Sequence, residues 1–156
     1  MQIAIALLTC IGAGVVGGVF FAFSTFVMKA LAQLPVHQGV AAMQRINVVV
    51  LNPLFLGAFL GTALLSVACL LMSVWGWGSA SASLLLASGL LYLGGSFLVT
   101  VGLNVPRNER LARLAPESPQ AAEYWLVYLR EWSFWNHVRS AASLASAVCA
   151  AGALAV

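Results

Sequence analysis

Aspartate is missing from these 156 residues, lysine occurs once, and the only carboxylate side chains are Glu109, Glu117, Glu123 and Glu131. Charged side chains make up 7 % of the chain, against about 25 % in an ordinary soluble domain. So little charge cannot cover a surface that faces water, which excludes a soluble globular domain. The net charge of +3 is dispersed and offers no basic stripe for nucleic acid. Cysteine is scarce as well. Cys10, Cys69 and Cys149 stand singly inside apolar runs, so neither a zinc site nor a disulfide framework is indicated. The thiols read as buried and inert. No His, Asp or Glu group has metal-ligand spacing, and there is neither a glycine-rich phosphate loop nor a nucleophile motif.

What fills the chain is apolar. Hydrophobic residues are 62 % and the mean hydropathy is +0.99. The pattern predicts an all-α integral membrane four-helix bundle, one domain over 1–156, with spans at about 3–28, 46–75, 80–103 and 134–156. The first apolar run is too long for a signal-peptide core and lacks a basic leader, so it reads as a retained span. Its Gly14-x-x-x-Gly18 pair, extended by Ala22, allows close helix approach. We expect that stripe to pack within the molecule, with a homo-oligomer as the other use. Gly57 and Gly61 repeat the spacing. Pro53 either kinks one long helix or follows an Asn52 cap as the first helical residue, and the kinked helix is the preferred reading. Trp75 and Trp77 flank an uncharged turn as interfacial aromatics. Asn104 is placed to cap a short extramembrane helix from Pro106 to Leu114. Ser118 is placed to cap the last helix, with Pro119 at its first position.

Every charged side chain lies in the first connection, in the third, or at its edge. The positive-inside rule then makes 29–45 and 104–135 cytoplasmic and puts both termini outside. Four span ends meet at that depth: Ser24 and Thr25; Asn47 and Asn52; Thr100 and Asn104; Asn136, His137 and Arg139. The five asparagines, Asn47, Asn52, Asn104, Asn108 and Asn136, exceed what capping needs. They predict a pocket in the cytoplasmic third, lidded by 104–118. The plainer alternative is that each end lies near headgroups and so tolerates polar groups.

The organising stretch is Trp125–Arg139. On a helix, Trp125, Tyr128, Trp132, Trp135, Asn136 and Arg139 share about one third of the circumference. An interfacial belt with a positive-inside arginine would explain these residues singly, but it has no need of Asn136 beside Arg139. Tryptophans give flat walls, amides orient polar groups, and Arg139 can stabilise an oxyanion. The ligand class this suits is a small apolar aromatic or quinone-like molecule with ring oxygens, bound by Asn47, Asn104, Asn108, Tyr128, Trp132 and Trp135. His137 is the one nearby group with a near-neutral ordinary pKa and so a candidate base, although it sits about 100° from the main face. Glu131, the nearest candidate partner for Arg139, is about 80° round the same helix. A haem held by His37 and His137 would need the first connection to dip into the bundle. Four spans without an internal repeat argue against a transporter.

At these residues the chain resembles a known family. Asn104-Val-Pro-Arg-Asn108-Glu-Arg-Leu111, then Trp132-x-x-x-Asn136-His-Val-Arg139 at the start of the last apolar run, is similar to the anthrone oxygenase-like family of small four-helix membrane proteins. The F-F-A-F-S-T-F-V-M run at 20–28 and A-M-Q-R-I-N-x-V-V at 42–50 resemble its bacterial branch. The resemblance implies oxidation of an anthrone to an anthraquinone by dioxygen without metal or flavin, hence no cofactor. It implies partners limited to the bilayer, the aromatic ligand and dioxygen, in a bacterial inner membrane. Asn108, Trp132, Asn136 and Arg139 match the recurrent pattern; Asn47, Asn104 and His137 belong to the bacterial form. An anthrone has an acidic C–H, and its anion can pass an electron to dioxygen unaided. The implied roles are Arg139 for the anion, Asn108 and Asn136 for the ring oxygens, Trp132 and Trp135 for stacking, and His137 as base. A quinone- or lipid-binding module, or an accessory subunit, would use the same face without catalysis.

Overall fold

The computed structural model describes residues 2–76 and 78–156, which are mostly helical, with no strand among them. Trp77, expected at the interface, lies outside the described residues. Five helices run through the described residues. They are α1 (Gln2–Ala32), α2 (Val36–Val49), α3 (Pro53–Trp75), α4 (Ala80–Ala112) and α5 (Pro119–Gly152). Three of them, α1, α3 and α4, are long and apolar enough to cross a membrane. The expected fourth span does not meet that standard. Of the 34 residues of α5, the uncharged stretch after Arg139 within the helix, Ser140–Gly152, rises only about 20 Å. A bilayer core is about 30 Å thick.

Two expected boundaries are corrected. Pro53 does not kink a continuous helix: α2 ends at Val49, and Asn52 Oδ1 accepts from the backbone N–H groups of Leu54 and Phe55 at 3.1 and 3.0 Å. Asn52 satisfies two otherwise orphaned donors, and Pro53 has no N–H to leave unpaired, so starting a new helix costs less than bending an old one. In contrast, no separate helix begins after Asn104. The side chain of Asn104 makes no capping bond, and α4 runs on through Pro106 to Ala112. Directly before Pro106 the helix widens into a π turn over Thr100–Asn104, after an earlier one over Leu91–Leu98. The wider turn gives the proline ring room against the preceding carbonyls, where an α-helical turn would clash. A third π turn, Phe23–Val27, lies in α1. Ser118 caps α5 as expected, accepting from Ala121 N–H at 3.1 Å.

Helix α5 packs against both α1 and α4, and α3 closes the arrangement against the same two. The weakly apolar second half of α5 is accounted for by the partners of its serines. Ser88 Oγ donates to the Ser146 carbonyl and Ser146 Oγ to the Ser88 carbonyl, both at 2.9 Å. Ser143 Oγ donates to Ser96 Oγ at 2.9 Å. Small hydroxyls that bond across helices are what apolar surroundings favour, since lipid supplies no hydrophobic force between helices. Helix α2 lies across the ends of α1, α4 and α5. Gln44 Nε2 fastens it to α4 by donating to the Leu111 and Leu114 carbonyls, each at 2.9 Å.

The Gly14/Gly18 stripe does not serve intramolecular packing. A methyl group at either position would meet nothing within 4 Å, and the same holds for Gly57 and Gly61. The close approaches are elsewhere: at Gly12 against Thr62, at Gly17 against Leu144, and at Gly89, where a methyl would lie 2.6 Å from Leu70 and 2.8 Å from the Ser66 carbonyl. Gly89→Ala is therefore expected to cost about 1–3 kcal/mol through overpacking. Gly18→Ala should stay within about 0.5 kcal/mol of the parent in the monomer. Thermal denaturation in detergent checks both, and equal losses would refute the packing assignment.

Candidate functional site

On α5 the spacing Tyr128, Trp132, Asn136, Arg139 follows one helical face, and all four are buried. The upper part of the face is an aromatic stack. Trp125 lies on Tyr128 at 5.6 Å and 12°, and Tyr128 on Trp132 at 5.9 Å and 20°. Tyr128 Oη donates to Asn108 Oδ1 at 2.7 Å, which joins α5 to the end of α4. Burial raises the Tyr128 phenol above its ordinary pKa, opposed by the side chain of Asn47 and the charge of Arg139. The phenol is accordingly a neutral donor.

Below the stack the face becomes polar. Asn136 Nδ2 donates to the Phe20 carbonyl at 2.7 Å and to Ser24 Oγ at 2.8 Å, so α5 is held to α1 at its π turn. Asn136 Oδ1 accepts from Arg139 Nη2 at 2.7 Å, and Arg139 Nη1 donates to Thr100 Oγ1 on α4 at 3.2 Å. The guanidinium carbon is 4.1 Å from the Phe20 ring centre and 5.1 Å from that of Trp132. Two of the three π turns, Phe23–Val27 and Thr100–Asn104, therefore flank this cluster, and such turns recur at functional sites.

Arg139 is 4 % exposed, and all its hydrogen-bond partners are neutral. Burying a cation costs several kcal/mol. Bonds from a charged donor return about 1.5–3 kcal/mol each, and a desolvated ring contact about 2. These soften the penalty and leave the positive charge in place. Glu131, the nearest candidate partner in sequence, is taken by Arg107, whose Nη2 and Nε donate to Glu131 Oε2 at 2.8 and 3.1 Å. The wheel offset between Glu131 and Arg139 decides this, because Glu131 turns toward the end of α4. The other ion pair among the described residues, Arg113–Glu109, is exposed at 4.0 Å.

Five buried side-chain polar atoms have no hydrogen-bond partner among the described residues, and four of them are here: Asn47 Nδ2, Asn104 Oδ1, Trp132 Nε1 and Arg139 Nε. Asn104 is fully buried, and its Nδ2 donates to the Trp132 carbonyl at 3.2 Å. The structure thus brings together Asn104, Trp132, Asn136 and Arg139, with Tyr128, Asn108 and Asn47 adjoining. It does not bring in Trp135, half-buried with its ring edge-on to Phe134 at 5.0 Å, or His137, which is exposed. His37 is exposed too, and no group of three His, Cys or carboxylates assembles among the described residues. Of the two described cavities, one of about 580 Å³ lies against Gln2, Ser81 and Ala153, the other of about 340 Å³ against Arg110, Gln120 and Tyr124. Neither reaches Asn136 or Arg139.

Sequence reasoning missed Phe20 and Phe23. Phe20 carries the guanidinium, and Phe23 packs on Trp132 at 5.7 Å. Their signal was there, since Phe20, Phe23 and Ser24 are spaced for one helical face. A family model described as Anthrone oxygenase matches residues 49–149, a range that holds the α4 and α5 parts of the cluster. No curated protein matches the chain, and no solved structure does.

Proposed function

This chain belongs to the anthrone oxygenase family, and on that premise we propose that it is a membrane-embedded oxygenase acting on an ionisable aromatic ligand of the anthrone or hydroquinone kind. The observation that carries the reading is Arg139, buried between aromatic rings with amide and hydroxyl partners and no carboxylate. A guanidinium so placed favours a ligand that arrives as, or becomes, an anion. We read the molecule as a four-helix membrane bundle in which α5 is the fourth member, packed between α1 and α4 and diagonal to α3. The charged end is cytoplasmic and both termini are outside.

The reaction needs no protein nucleophile. A ligand C–H proton leaves, and Arg139 holds the charge that appears on the ring oxygen. The anion passes one electron to dioxygen. The resulting ligand radical and superoxide combine in a C–O bond, giving a peroxide. Loss of the second C–H proton and of hydroxide from the peroxide then forms the new ketone. One oxygen atom enters the product and the other leaves as water, so the two ligand hydrogens and one dioxygen balance. The amide of Asn136 fixes the guanidinium, Asn108 fixes Tyr128, and the aromatic surroundings keep water from the anion.

None of the buried side chains here is a base, and His137 is exposed. The acidity that Arg139 confers on the ligand replaces a dedicated base: the ligand ionises as it enters, and its proton passes to the solvent it is leaving. His137→Ala is accordingly expected to keep turnover within about threefold, where loss of a true general base would cost about 10²–10⁴. The test is aerobic incubation of the purified protein in detergent with anthrone, following quinone formation above the spontaneous rate. Acceleration by the parent and by His137→Ala supports the reading. Binding without acceleration would instead favour a quinone- or lipid-binding module.

A further inference from the structure

The unpartnered atoms around Arg139 differ in kind, and the difference describes a ligand. Apart from Asn47 Nδ2, which is on α2 beside Tyr128, Arg139 Nε and Trp132 Nε1 can only donate, and Asn104 Oδ1 can only accept. The orientation of the Asn104 amide is fixed, because its Nδ2 donates to the Trp132 carbonyl at 3.2 Å and a carbonyl only accepts. Asn104 is one turn beyond Thr100, which holds Arg139 Nη1, so the face of α4 that carries Asn104 is the face that meets Arg139. The Trp132 ring lies 5.1 Å from the guanidinium carbon. A bare anion would satisfy the two donors and leave Asn104 Oδ1 empty. A neutral hydroxyl compound would satisfy Asn104 and leave the buried charge uncompensated.

We propose that Asn104 is a specificity-determining residue: the ligand carries a neutral hydroxyl as well as an ionised oxygen, and Asn104 Oδ1 accepts from that hydroxyl. The ionised oxygen takes the N–H groups of Arg139 Nε and Trp132 Nε1, which makes the indole a donor as well as a wall. This deepens the reading of the site given above and rests on it. A buried acceptor discriminates strongly, because a ligand lacking the donor leaves it unpaired inside the protein.

The test uses the purified full chain in detergent under argon, so that binding is read without turnover. Anthrone and a set of monohydroxyanthrones are titrated, and the bound enolate is followed by its visible absorption. At least one hydroxy isomer is expected to bind about tenfold or more tighter than anthrone. In Asn104→Leu that ratio should fall to near one. A merely structural role for Asn104 would weaken both ligands and preserve the ratio. Trp132→Phe keeps the ring and removes the N–H; it should weaken all members alike and leave the ratio intact. The inference is overturned if no isomer exceeds anthrone, or if the preference survives Asn104→Leu. Failure of the oxygenase reading shows differently, as binding without quinone formation when air is admitted.

Discussion

Arg139→Met is expected to lower turnover by about 10²–10³ while leaving the protein about as stable as the parent. The two effects have one cause. In the parent, Arg139 is a buried cation whose partners are a hydroxyl, an amide and two rings. Replacing buried ions by apolar side chains of similar volume is often neutral or stabilising by about 1–4 kcal/mol. Against that gain stands the Asn136 Oδ1 acceptor left without its donor, worth about 1–3 kcal/mol, so the two effects largely offset each other. Catalysis has no such compensation, since the anion formed from the ligand would lose its only counter-charge. Arg139→Lys separates charge from shape: it keeps the cation but cannot reach Thr100 and Asn136 in the same fork. Turnover of an anthrone and thermal denaturation, measured together, check the prediction. Retained turnover with a lowered melting temperature would make Arg139 a structural residue and remove the basis of the proposed chemistry.

Much of this site could be read in the sequence because it lies on one helix. Tyr128, Trp132, Asn136 and Arg139 repeat at three and four residues, and a periodicity within one element survives any arrangement of the others. The Ser118 cap was legible for the same reason. What the sequence hid depends on other elements. The pairing of Glu131 with Arg107 needs the course of α4 past Pro106, which hangs on a π turn that no residue pattern announces. Asn104 looked like a cap because asparagine two residues ahead of a proline suits the start of a helix, yet its amide spans to Trp132 on another helix. The Gly14/Gly18 stripe has the spacing of a packing motif but faces outward, since spacing gives a face and not the neighbour on it. The count of four spans took the last apolar run for a full span, but Asn136, His137 and Arg139 occupy its start and leave only Ser140–Gly152 as its uncharged part within α5.

Asn136→Leu should be the most destabilising single change at the site, at about 3–5 kcal/mol. Asn136 alone ties α5 to both Phe20 and Ser24 on α1 and orients Arg139. Leucine has the same number of heavy atoms and the same branching, so the main loss is of hydrogen bonds. It strips the Phe20 carbonyl of this donor, leaves Arg139 Nη2 bare, and removes a partner from a cation already short of them. Each buried unpaired group costs about 1–3 kcal/mol, and more when charged. The size alone would not prove the account, since any core substitution can be costly. The coupling does. In Asn136→Leu combined with Arg139→Met, the bare guanidinium is gone, and only the α1 bonds remain lost. The double variant should therefore recover about 1–3 kcal/mol relative to Asn136→Leu, a departure from additivity of the kind contacting residues show. Additive losses would mean that the two side chains do not depend on each other, and the 2.7 Å bond between them would carry no energetic weight. Turnover must stay lost in the double variant even as stability returns, because what is restored is the fold and what is missing is the charge.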